Sequence, residues 1–154
     1  MATYDYTGDG DGSIQSEAYR NGKFLAKVKL KVADIIASDT TLTTNGTLAI
    51  NDIVEFIDMP AGAVFTDFAM KTVTTGTAAL TADFGLAGGT QIGAAFDMAQ
   101  AADKIDLMAF NATWGKGALM GYDFETADTI DVQFLIAAAI IGEWHVYIGG
   151  YFLY

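Results

Sequence analysis

The chain has 154 residues with a formal net charge of -11, one proline and no cysteine. Its length suits one domain able to bury roughly 70% of its unfolded surface, and the missing cysteines exclude disulfides, thiolate metal sites and cysteine catalysis. So acidic a body also opposes a nucleic-acid partner, because phosphates are repelled everywhere except along one basic segment, Arg20 to Lys31, which holds five bases and no acid.

The opening "MATYDYTGDGDG" lacks the positive flank and apolar run of a signal peptide, so a cytoplasmic site of synthesis is the expectation. Asp5, Asp9 and Asp11 alternate with glycine as in a calcium loop, but the register of an EF-hand fails. Counted from Asp5, the glutamate position falls on Ser16; counted from Asp9, the glycine position falls on Ile14 and the glutamate position on Arg20. No metal site is assigned. Residues 1–22 read instead as an extended, acidic amino-terminal arm, with Tyr4, Tyr6, Ile14, Tyr19 and Arg20 as anchors for docking.

"FLAKVKLKV" (24–32) alternates strictly, placing Phe24, Ala26, Val28, Leu30 and Val32 on one face and Lys27, Lys29 and Lys31 on the other, which predicts a half-buried strand. The lysines read as a solvated face that discourages edge-to-edge pairing, or as a strip facing an acidic partner. In "TLTTNGTLAI" (41–50), Asn45-Gly46 between β-prone threonines predicts a hairpin turn. Strands follow over 52–59, broken by Pro60-Ala61-Gly62, over 63–76 and over 77–89, the last ending in a Gly-Gly loop. The alanine-rich stretch 94–110 predicts one short helix inside a long connection. Strands over 117–125, 129–138 and 141–154 bring the count to about eight, the pattern of an antiparallel two-sheet β-sandwich occupying 23–154. The most apolar run, "FLIAAAIIG" (134–142), is far shorter than the roughly 20 residues a membrane span needs.

The inventory of reactive groups argues against an enzyme. His145 is the one histidine, Ser13, Ser16 and Ser38 lie in polar early segments, and "GKG" (115–117) lacks the spacing of a phosphate loop. Catalytic residues and cofactors are therefore expected to be none. Trp114 in "NATWGKG" is the aromatic best placed to meet a partner or stack on a sugar.

The order "DIVEFIDMPAGAVFTDFAMKTVTTG", "TADFGLAGGTQIGAAFD", "DTIDVQFLIAAAIIGEWHVYIGGY" resembles the small virion structural proteins of tailed bacteriophages, over roughly residues 50 to 150. The resemblance implies a jelly-roll sandwich of the capsid cement or decoration type, commonly a homotrimer on the capsid surface, with the major capsid protein and further copies of itself as partners. On that reading Tyr4, Tyr6, Ile14, Tyr19, Arg20, Lys27, Lys29, Lys31 and Trp114 are the partner-binding candidates. The alternative is a head or tail fibre module binding host glycans through Trp114 and exposed tyrosines.

Overall fold

A computed structural model describes residues 1–7, 23–107 and 122–152. Among them run β1 (Thr3–Asp5), β2 (Lys23–Lys31), α1 (Val32–Ser38), α2 (Thr40–Asn45), β3 (Ile53–Met59), β4 (Ala63–Thr74), β5 (Thr81–Gly85), β6 (Gly93–Asp97), β7 (Ile105–Leu107), β8 (Tyr122–Asp123), β9 (Asp128–Leu135) and β10 (Glu143–Phe152). One sheet, sheet A, has the order β1-β3-β9-β5-β6; the other, sheet B, has the order β2-β10-β4-β7, with β8 also on β4. Leaving β1 and the two-residue β8 aside, the eight other strands taken in chain order form sheets 2-7-4-5 and 1-8-3-6. That interleaving is the jelly roll, so the expected all-β, two-sheet architecture is the observed one.

The pairing is antiparallel throughout except where β1 runs parallel to β3. On β2, Phe24, Ala26, Val28 and Leu30 point inward as the alternation requires. On β10, Trp144, Val146 and Ile148 are buried, while Glu143, His145 and Tyr147 face outward and are half-buried. Four phenylalanines bridge the layers. Phe68 of β4 lies 5.1 Å from Phe84 and 5.4 Å from Phe96 between ring centroids, and Phe84 packs edge-on against Phe56 and Phe96.

Two expectations are corrected. Residues 41–50 do not form a hairpin. Asp39 caps α2 by accepting from the Thr41 and Leu42 amides at 2.7 and 3.0 Å, and Gly46, at φ 68°, closes it by donating to the Leu42 carbonyl. The positive φ that Asn-Gly offers a hairpin serves a helix end instead, because Leu42 alone supplies the apolar face and β alternation is absent. The helix expected within 94–110 is also not seen among the described residues there. Residues 93–97 join sheet A as β6, where Phe96 is buried against Phe84 and the Asp83 carboxylate accepts from the Ala95 amide at 2.7 Å. Tertiary pairing overrides the helix preference of alanine.

Phe65 and Phe68 are both buried, although strict alternation would put them on opposite faces. The β4–β10 register shifts between Gly149 and Gly150, which pair with Asp67 and Phe65, and this bulge resets the phase. Gly150 permits the close approach: a Cβ there would stand 2.1 Å from the Val64 carbonyl oxygen and 2.5 Å from the Phe24 ring. Gly150→Ala is expected to destabilise the fold by about 2–3 kcal/mol in chemical denaturation, as overpacking against backbone does; a loss below about 0.5 kcal/mol would show that the strands separate there freely.

Candidate functional site

The surface divides by charge along the two sheets. The strands of sheet A carry Asp5, Glu55, Asp58, Asp83, Asp97, Asp128 and Asp131 and no base. Those of sheet B carry Lys23, Lys27, Lys29, Lys31 and Lys71 against Asp67, Asp106, Asp123 and Glu143.

Where Tyr6 meets β2, several of the candidate residues come together. Tyr6 is 2% exposed and belongs to the core, and Tyr4 packs on that core from the edge of sheet A. Tyr6, Lys29, Asp34, Ala37 and Ser38 line one cleft. Asp34, in the first turn of α1, binds Lys29 at 2.8 Å and Lys31 at 3.1 Å. The Lys29 ammonium holds the Asp34 carboxyl below its usual range, with Lys31 adding to the effect, and the same contact raises the lysine. Lys27 has no carboxylate partner among the described residues and faces solvent beside Tyr147. His145 pairs with Lys29 and Lys71 in register and lies 3.5 Å from Glu143; burial, then Lys27, keep its pKa below the usual value. Ile14, Tyr19, Arg20 and Trp114 lie outside the described residues.

Asp52, which sequence reasoning missed, organises the β1 edge. Its buried carboxylate accepts from the Ala2 amide and the Ala49 amide, both at 2.9 Å, and its charge acts on the Tyr4 hydroxyl. Burial, followed by the charges of Asp52 and Asp39, pushes the Tyr4 pKa up. Its position just before β3 is the only signal the sequence offers for this role.

A row of carboxylates crosses the outer face of sheet A, since Asp5 pairs with Glu55 and Glu55 with Asp131. Asp5 also accepts from the Thr7 amide and hydroxyl at 2.9 and 2.8 Å, a local turn. Burial raises the Glu55 pKa, and Asp5, Asp58 and Asp128 add to it. Asp131, 2% exposed, is pushed to about 6 by burial, with Glu55 raising it further against hydrogen bonds from Thr129, Gly88 and Ala87. Among the described residues no group of His, Cys, Asp or Glu is spaced to hold a metal ion, and no helix is long and apolar enough to cross a membrane.

The end of the sandwich beyond β9 is apolar. Ile50, Ile136, Ile140 and Ile141 are 46 to 66% exposed. Their loops are held in place: Leu48 and Ala139 exchange both backbone hydrogen bonds, and Thr77 accepts from Ile140 and donates its amide to Ile141. Ile136 sits at φ 67° in a three-residue turn closed by the Ala137 amide on the Leu135 carbonyl at 2.7 Å. A β-branched residue in that conformation is strained, by about 1–3 kcal/mol, and here the strain turns an isoleucine outward.

No family model matches the chain, and no curated protein is similar to it in sequence. Among solved structures it is similar to a chain from the capsid of Ralstonia phage GP4, with a TM-score of 0.63 and 14% identity over 99% of this chain and 98% of that one. It is similar also to a chain of the acidic stable capsid structure of Helicobacter pylori bacteriophage KHP30 (TM-score 0.53, 12% identity, 84% and 86% covered). A chain of the cyanophage Pam1 capsid asymmetric unit is alike to the same degree (TM-score 0.53, 17% identity, 85% of each covered). At these identities the likeness is one of fold.

The raised carboxyl of Asp131 has a pH signature. Between its ordinary value of 3.8 and about 6 the folded chain keeps a proton that the unfolded chain has released, so this group favours folding at low pH and loses that contribution as pH rises through about 6. Asp131→Asn removes the titration. The stability gap between variant and parent, measured by denaturant unfolding, should shift in favour of the variant by about 2–3 kcal/mol from pH 4 to pH 7; a gap independent of pH would refute a desolvated carboxyl.

Proposed function

We propose that this chain is a bacteriophage virion structural protein of the cement or decoration type, bound to the capsid surface where it bridges major capsid subunits, and acting as a homotrimer without catalysis. The observation that supports this reading most is the jelly roll itself, which aligns from end to end with a chain of a phage capsid. A shell-binding role asks for a rigid body with surfaces that bury well, and the isoleucine end meets that requirement. On a chain of net charge -11, these four exposed side chains offer uncharged surface to bury against a capsid subunit. Tyr4, Lys27, Lys29, Lys31 and the arm candidates Ile14, Tyr19, Arg20 and Trp114 are assigned to the periphery of such contacts, where charge guides orientation more than it adds affinity.

The test is particle binding. Ile136→Ser, Ile140→Ser and Ile141→Ser combined should leave thermal unfolding within a few degrees of the parent while reducing co-sedimentation with phage heads by more than about tenfold, since each buried isoleucine contributes roughly 1.5–3 kcal/mol. Undiminished co-sedimentation, or a protein confined to tail fibres in immunogold images, would sink the assignment.

A further inference from the structure

The β1 segment is attached to the sandwich in an unusual way. It supplies three strand residues, in the one parallel pairing among the described strands, at the outer edge of sheet A. Its attachments are specific. The Ala2 amide donates to Asp52 at 2.9 Å, the Ile53 amide donates to the Ala2 carbonyl at 2.8 Å, and the Tyr6 amide donates to the Glu55 carbonyl at 2.9 Å. Tyr6 then fills a core position. Against these contacts stands a like-charge pair, Asp5 directly opposite Glu55, which loosens a sheet pairing.

The connection to the rest of the chain is long in sequence for the gap it has to cross. Tyr6 shares a cleft with Lys29, and the described chain resumes at Lys23, six residues back along the same strand, a span of roughly 20 Å. Residues 8–22, with four glycines and no proline, reach about 50 Å when extended. The segment can therefore be delivered to a second sandwich without altering its own.

We propose that residues 2–6 are an exchangeable strand: in assemblies, the slot along β3, with its Asp52 acceptor and its Tyr6 site, takes this segment from a second copy of the chain. The slot selects that occupant, because any other must bring a backbone amide to Asp52 and, four residues later, an aromatic ring to the core. The swapped contact reproduces every closed contact, so only the connection's entropy separates the two forms. A single chain in dilute solution keeps its own strand at an effective concentration of order mM, and copies crowded to that level exchange. The inference deepens the virion reading by naming the contact between copies; it takes from that reading only the setting that crowds them.

The chain has no cysteine of its own, so paired cysteines report the contact directly. Asp5→Cys and Glu55→Cys singles of the full chain, mixed at about 1 mM and oxidised, should give the mixed disulfide between positions 5 and 55 more than tenfold above either homodimer, whereas random collision gives about twofold. The double variant, oxidised at micromolar concentration, should close internally and so certifies that the fold and geometry permit the bond. A mixed disulfide at the random level while the double variant closes internally would overturn exchange. The crosslink is read on purified chain and particle binding on heads, so either idea can fail without the other.

Discussion

The fold depends on an aromatic layer between the sheets and on a break in alternation on the strand that supplies Phe68. Phe68 reaches from sheet B into Phe84 and Phe96 of sheet A, and each tilted or edge-on ring pair adds about 0.5–1.5 kcal/mol beyond the area it buries. Phe65 must turn inward too, and this happens because β4 bulges opposite Gly149 and Gly150. The glycine pair near the end of β10 therefore permits strand contact at close range. With the layer in place, the two sheets are committed to one stacking, and the charges that each displays outward follow from it.

That display is lopsided. Sheet A presents only carboxylates, and one of them, Asp131, is buried deeply enough to hold its proton close to neutral pH. On sheet B two lysines of β2, Lys29 and Lys31, are drawn back to the chain by Asp34, which stands where the strand ends and α1 begins and so also lies at the favourable end of a helix. The carboxyl-terminal half of the lysine strand is thus less a free basic strip than a partly neutralised edge, with Lys27 exposed beside it.

Much of this was legible from period alone. β2, β3, β4, β5, β9 and β10 announce themselves through alternation or apolar runs bounded by turn residues. What escaped was structure made by single contacts. Helix α2 exists because Asp39 and Gly46 cap it, not because its threonines favour a helix. Strand β6 exists because β5 offers it an edge and Phe96 a place. The "TYDY" of residues 3–6 does alternate, but four residues next to an Asp/Gly run resemble an arm more than a strand, and only the pairing with β3 and the Asp52 carboxylate makes them part of the sheet. At the candidate site the lysines could be read, and their neutralisation could not, since Asp34 faces Lys31 only once residues 32–38 are helical.

Among the described strands, the outermost of each sheet carry a deterrent to casual strand addition. β1 is three residues long and acidic, β2 is studded with lysine, β6 is kinked by Ala95 at φ 56°, and β7 is again three residues long. Backbone pairing with unrelated strands is discouraged at every one of them. Two routes to association survive: burial of the isoleucine end, which uses side chains and leaves the ladders untouched, and re-use of a strand position the fold has already prepared for its own residues 2–6. Both are self-limiting. The first saturates when one face is covered, and the second when each slot is filled, so a chain with 52% hydrophobic residues can assemble at high local concentration without inviting open-ended aggregation.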